Sequence, residues 1–141
     1  MVVHVRLRVE PRSGEPAREI VVLVNAGAHS PEPVLVVDEV TARDLGYTEG
    51  EVVEVSTVDA RRRVRLVRDA VELTLLGDRG EELSKISAHL VIHPGLEEPL
   101  ITDTTIDELG ISVVSFGKGT WRHTSDPPGR VRRSAKPHPP P

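Results

Sequence analysis

Val21-Val22-Leu23-Val24-Asn25-Ala26-Gly27-Ala28 is an apolar run that passes into a turn of small residues carrying one polar side chain. From Ile20 to Val24 every residue is apolar, the pattern of a short strand buried on both faces, and Asn25-Ala26-Gly27 ends it. Asparagine suits such a place for a purely structural reason. It tolerates the left-handed region and bonds its own backbone in a tight turn.

Working outward, Val2 to Val9 alternates apolar with polar residues and predicts a strand, followed by a turn at Pro11-Arg12-Ser13-Gly14-Glu15-Pro16 and a hairpin into the Ile20–Val24 strand. Beyond the small-residue turn lies the loop His29-Ser30-Pro31-Glu32-Pro33. A second apolar strand, Val34 to Val37, leads to a short helix over Glu39 to Leu45 that Gly46 closes. Glu51 to Val58 and Arg63 to Val67 alternate and predict a hairpin across the polar link Asp59-Ala60-Arg61-Arg62. Ala70 to Leu76 reads as a further strand, Gly77-Asp78-Arg79-Gly80 as a turn, and Ile86 to Ile92 as a strand ended by Pro94-Gly95. In Pro99-Leu100-Ile101-Thr102-Asp103-Thr104-Thr105-Ile106-Asp107-Glu108-Leu109-Gly110-Ile111, a second apolar pair runs into a helix. Ile106 and Leu109 share a face there, Gly110 terminates it, and Ile111 to Val114 makes the last strand of the domain.

With 141 residues the natural count is one domain, whose modest core requires that folding or dimerisation hide most of the apolar surface. Valine dominates that surface, and with eleven Gly and twelve Pro the chain reads as mainly β. Tyr47, Phe116 and Trp121 are the only aromatic residues, so stacking on a cofactor or on nucleic-acid bases has little to work with. Cysteine is absent, which excludes disulfides, thiolate catalysis and Cys-ligated metal sites. The first residues lack a long apolar stretch with a cleavage site, and no run is long enough to span a bilayer. The expectation is a cytoplasmic protein with no membrane contact and no cofactor. The net charge of -4 conceals an asymmetry: from Arg122 onward the chain carries Arg122, Arg130, Arg132, Arg133 and Lys136, with Asp126 as the only acid. A stretch this rich in proline reads as a basic, disordered tail over residues 122–141, which solubilises or touches nucleic acid or another acidic partner.

The Val21–Ala28 and Pro99–Ile111 segments, with the strand order between them, resemble the retropepsin-like aspartic proteases, over roughly Val2 to Phe116. The chain looks like a divergent member of archaeal or bacterial type. In that family the first run ends in Asp-Thr/Ser-Gly-Ala, and the second reads Leu-Ile-Gly-x-Asp-x-Leu-x-x-Leu-Gly-Ile. The resemblance implies a closed-barrel acid-protease fold with one or two short helices over residues 1–121. It also implies a homodimer in which each chain supplies half a cleft, and a flap at the Glu51–Val67 hairpin. The active-site turn falls on Asn25, Ala26 and Gly27, where the family has Asp, Thr or Ser, and Gly. Aspartic-protease chemistry needs two carboxylates sharing one proton. An amide can hold a water by hydrogen bonds but cannot accept its proton, and alanine has no hydroxyl with which to lock two turns together. Thr102 also departs from the family, standing where glycine is usual.

The expected function is therefore a dimeric module that binds an extended peptide or protein without ordinary catalysis. Two alternatives stand beside it. One is an active, atypical aspartic peptidase that borrows another carboxylate, with Asp38, Asp44 and Asp103 to choose from; their places in the predicted helices favour structural roles. The other rests on Thr41 to Val55, whose helix, Leu-Gly and Glu-Val-Val-Glu-Val run resembles swapped-hairpin DNA-binding transcription factors of the AbrB type, although this segment is acidic. His29, four residues past Asn25, sits on a loop where it either lines a central cleft or stands as an ordinary solvated loop histidine. His89 and His93 lie on a predicted strand at a spacing that does not converge on a metal, and no metal site is expected. Gly117-Lys118-Gly119-Thr120 lacks the upstream glycine and following helix of a phosphate loop and reads as a turn.

Overall fold

The computed structural model describes residues 2–56 and 59–136. The described residues are mainly β, with two short helices among them. In order, the elements are β1 (His4–Pro11), β2 (Arg18–Val24), β3 (Val34–Val37), α1 (Glu39–Asp44), β4 (Glu51–Ser56), β5 (Arg61–Leu76), β6 (Glu82–Ile92), β7 (Leu100–Ile101), α2 (Asp103–Leu109), β8 (Ile111–Ser115), β9 (Thr120–His123) and β10 (Arg132–Arg133).

Six strands close into a barrel. The sheet runs β1-β2-β7-β3-β6-β5, and β5 returns to pair antiparallel with β1, so the ring has no free edge. The alternation along β1 sets the inside: Val5, Leu7 and Val9 are fully buried, while Arg6 and Arg8 lie between them on the outer face. Leu73 and Leu75 of β5, Leu90 of β6, Leu35 of β3 and Val22 of β2 complete an aliphatic interior. Each such side chain contributes about 1.5–3 kcal/mol by leaving water, and this compensates for the scarcity of aromatic residues.

Expected strands Arg63–Val67 and Ala70–Leu76 form one strand, β5, whose two halves have different neighbours. Arg61 to Leu66 pairs with β4, and Val71 to Leu76 pairs with β1. Between them the ladder to β6 shifts register, and Asp69 takes a positive φ of 49°. This irregularity bends the strand out of the β4–β5 hairpin and into the barrel. Arg61 and Arg62, expected in the connecting link, begin β5; Thr57 and Val58, which end the expected first arm, lie outside the described residues.

The boundary expected after residue 121 falls inside β9, and 122–136 is built into the fold. β8, β9 and β10 form a second, three-stranded antiparallel sheet. Trp121 of β9 is buried in the main core and donates from Nε1 to the Arg133 carbonyl. Arg132 is buried too, because Asp126 meets it with both carboxylate oxygens, Nε to Oδ2 at 2.8 Å and Nη2 to Oδ1 at 2.7 Å. The segment then crosses to the N-terminus, where Ala135 donates to the His4 carbonyl and the Ser134 hydroxyl accepts from His4 N–H, each at 2.8 Å. A paired arginine can be buried where a solvated tail was expected, because its partner lies six residues away in the same turn. Residues 137–141 of the expected tail lie outside the described residues.

Candidate functional site

The placement of the site follows from one short strand. β7 inserts between β2 and β3, parallel to the first (Leu23 opposite Leu100, Val24 opposite Ile101) and antiparallel to the second (Leu35 opposite Ile101). The C-terminal end of β2, carrying Asn25, therefore lies beside the C-terminal end of β7, where Thr102 and Asp103 open α2. Backbone bonds fix the junction: Asn25 N–H to the Ile101 carbonyl at 3.2 Å and Asp103 N–H to the Ala28 carbonyl at 2.8 Å. The two segments that carry the retropepsin resemblance, some seventy-five residues apart, thus share one site.

Within the turn Asn25 is half-buried, and Ala26 and Gly27 are exposed. Asn25 Oδ1 accepts from Gly27 N–H at 3.1 Å, and the Asn25 carbonyl accepts from Ala28 N–H at 3.1 Å. Self-bonding is therefore the structural role of Asn25, and left-handed tolerance is not. Among the described residues Asp69 is the only non-glycine with positive φ. A side chain on Gly27 would start 3.3 Å from Asn25 Oδ1, so the turn is tight as well as small.

Of the three alternative carboxylates, Asp38 caps α1 by accepting from Thr41 N–H at 2.9 Å, and Asp44 is the last residue of that helix. Asp103 is the one the fold brings to the turn. Its Oδ2 accepts from His29 Nδ1–H at 2.8 Å, and its Oδ1 accepts from Ser30 N–H at 3.0 Å and Thr104 N–H at 2.7 Å. The His29 bond is the largest of the influences that hold this carboxyl at about 2, well under its ordinary value, with the two backbone donors adding to it. A carboxylate so strongly stabilised in its ionised form is a weak general base near neutral pH.

Beneath the loop runs a hydroxyl network that the sequence reading missed. Ser30 Oγ lies 2.6 Å from Thr102 Oγ1, which lies 2.9 Å from Thr105 Oγ1. Thr105 Oγ1 donates to the Val34 carbonyl at 3.0 Å and accepts from Val34 N–H at 2.8 Å, and Ser30 Oγ reaches the Glu32 carbonyl at 2.7 Å. Three hydroxyl protons serve four contacts. With Ser30 donating to Glu32 and Thr105 to Val34, the Thr102 proton goes either to Ser30 or to Thr105. Thr102 is buried and thereby joins the loop after Asn25 to the start of α2. The clustering of Ser30 with Thr102, Thr104 and Thr105 in two separate segments was the available signal.

The histidines do not converge. His89 Nδ1 accepts from Asp69 N–H at 2.9 Å while Nε2 faces Glu32 at 3.3 Å, and His93 Nδ1 lies 3.1 Å from the Pro94 carbonyl. Among the described residues no group of three or more His, Asp or Glu side chains is arranged to hold a metal ion, and no helix is long and apolar enough to cross a membrane. No protein-family model matches the chain, and no curated protein matches it.

Proposed function

We propose that this chain is a retropepsin-like half-cleft that has lost its proton chemistry and works as a homodimer gripping an extended peptide. One observation carries this reading: the Asn25 turn lies at the junction of β2, β7 and α2, and its amide is folded back on Gly27 N–H. Against the atypical-peptidase alternative stand the three donors on Asp103 and its depressed pKa.

Two features support the binding role. β4 is the end strand of the seven-stranded sheet and pairs with β5 alone, so its outer backbone groups can add a peptide strand. β8 is the end strand of the small sheet, and Val114 and Phe116 stand exposed at its end. That edge suits a second copy of the chain, and in the dimer that the retropepsin resemblance implies the two Asn25 turns face each other.

The test has two arms. Sedimentation equilibrium on the full chain is expected to give a dimer that Val114→Lys weakens; a monomer at every concentration overturns the dimeric reading. Unfolded casein at acid pH is expected to remain intact. Cleavage blocked by a statine-type inhibitor would show that the carboxylate chemistry survives, and the binding-module reading would fall.

A further inference from the structure

A cavity of about 330 Å³ lies between α1 and the root of the β4–β5 hairpin, and no residue of the 25–30 loop lines it. Its size falls at the lower end of the roughly 300–1,000 Å³ typical of small-molecule sites. We propose that this cavity binds a small organic anion, with an acidic head among arginines and an apolar body against the hairpin root.

The charge at this cavity is local and opposite in sign to that of the chain as a whole. The protein carries a net charge of -4, yet Arg43, Arg63 and Arg65 line this cavity against one acid, Glu39. Among the described residues neither Arg43 nor Arg63 has an ion pair or a side-chain hydrogen bond. Glu54 stands directly opposite Arg63 across the hairpin, but no ion pair forms between them. Arg65 is held in place instead, donating from Nη1 to the Thr48 carbonyl at 2.7 Å. Guanidinium groups that line one cavity with unspent forks, as those of Arg43 and Arg63 do, match the planar oxygens of a carboxylate or phosphate.

The remaining walls are apolar. Ile92 is buried beneath the cavity, and Val52, 62 % exposed, adds apolar surface to its wall that an organic body would cover. Tyr47 contributes its ring, because its hydroxyl is committed: it donates to the Ala70 carbonyl at 2.6 Å and accepts from Arg12 N–H at 3.3 Å. The register places Val52 opposite Arg65, with Arg63 two residues along the same face, so head and body subsites lie side by side. Gly50 fixes the hairpin root, since a side chain there would meet the Leu66 carbonyl at 2.9 Å.

Octanoate and phenyl phosphate are suitable probes, with octanol as the uncharged control, titrated calorimetrically into the full chain and mapped by amide shifts. At least one anion is expected to bind, with shifts at Tyr47, Val52, Arg63 and Ile92, and octanol to bind at least about tenfold more weakly. The preference between the two anions identifies the head group. Arg43→Gln and Arg63→Gln, both on exposed side chains, are each expected to raise Kd about tenfold or more, as loss of a charge-assisted hydrogen bond does. Equal binding of octanol, unchanged affinity in both variants, shifts centred elsewhere, or no binding of either anion at millimolar concentration would each overturn the proposal.

Discussion

His29 and Asp103, 74 residues apart in sequence, meet at 2.8 Å between Nδ1 and Oδ2 and clasp the loop after the Asn25 turn to the first residue of α2. The clasp is solvent-facing, with the His29 side chain 77 % exposed, so its strength is modest and sensitive to salt. The pH dependence has a definite sign. The folded-state pKa of Asp103 lies below its ordinary 3.8, at about 2, so its contribution is complete above the ordinary value and disappears as pH falls through the folded one. Asp103→Asn is expected to lower the thermal midpoint at neutral pH. The gap from the unmodified chain should narrow as pH falls from near 3.8 to near 2. A gap that stays constant over that window would show that the carboxylate charge is not what holds the loop.

Thr105 is the keystone of the hydroxyl network, because one buried side chain serves both backbone groups of Val34. Thr105→Val keeps the shape and removes both bonds, leaving a buried N–H and a buried carbonyl short of a partner. The expected cost is about 1–3 kcal/mol in urea unfolding, with Thr105→Ser recovering most of it. Amide exchange at Val34 should accelerate in the valine variant alone. If valine and serine behave alike, the hydroxyl is not the stabilising group.

Much of the barrel was legible because period-two alternation reports burial directly. Leu7 and Val9 flank Arg8 as an inward-facing pair should, and Gly46 and Gly110 take the positive φ expected where helices stop. The continuity of β5 was not legible. Arg68-Asp69 looks like a break, and only the pairing with β4 on one side and β1 on the other shows that it is a bend. The fate of residues 122–136 was hidden for a similar reason: proline and arginine content describes a solvated chain until a specific acid meets a specific arginine. Asp126, the one acid in that stretch, was the available clue. At the site, the approach of Asn25 to Thr102 and Asp103 depends on the two-residue strand β7, which is too short to carry a pattern of its own.

Asp126 and Arg132 form a doubly bonded pair, each side chain only 3 % exposed, and the guanidinium also lies 5.7 Å over the Trp121 ring. Arg132→Ala leaves a buried carboxylate without its cation, so a loss of about 3–5 kcal/mol is expected in denaturant unfolding. Replacing both residues, Asp126→Leu with Arg132→Met, is expected to lie much closer to the unmodified chain than the single change, because no orphaned charge remains. A double variant as weak as the single one would mean that the other bonds of these residues, the Trp121 contact of Arg132 and the His123 N–H that Asp126 accepts, and not the ion pair, secure the C-terminal segment.

Asn25 offers the sharpest separation of structural from chemical roles. Its Oδ1 is the acceptor for Gly27 N–H, so Asn25→Ala should lose about 0.5–1.5 kcal/mol of stability, the ordinary net value of one hydrogen bond. Asn25→Asp keeps an oxygen in that place and should hold the turn as well as the amide does at neutral pH, since the ionised carboxylate is a stronger acceptor of the same N–H. Protonation at acid pH leaves one oxygen still able to accept. Combined with Ala26→Thr, the aspartate would restore the two side chains that the retropepsin pattern places in the turn. If two chains meet across their turns as proposed, the double variant is expected to acquire a statine-sensitive peptidase activity that the unmodified protein lacks, with the activity rising with dimer concentration. A double variant that is folded, dimeric and inert would mean that the two turns do not face each other.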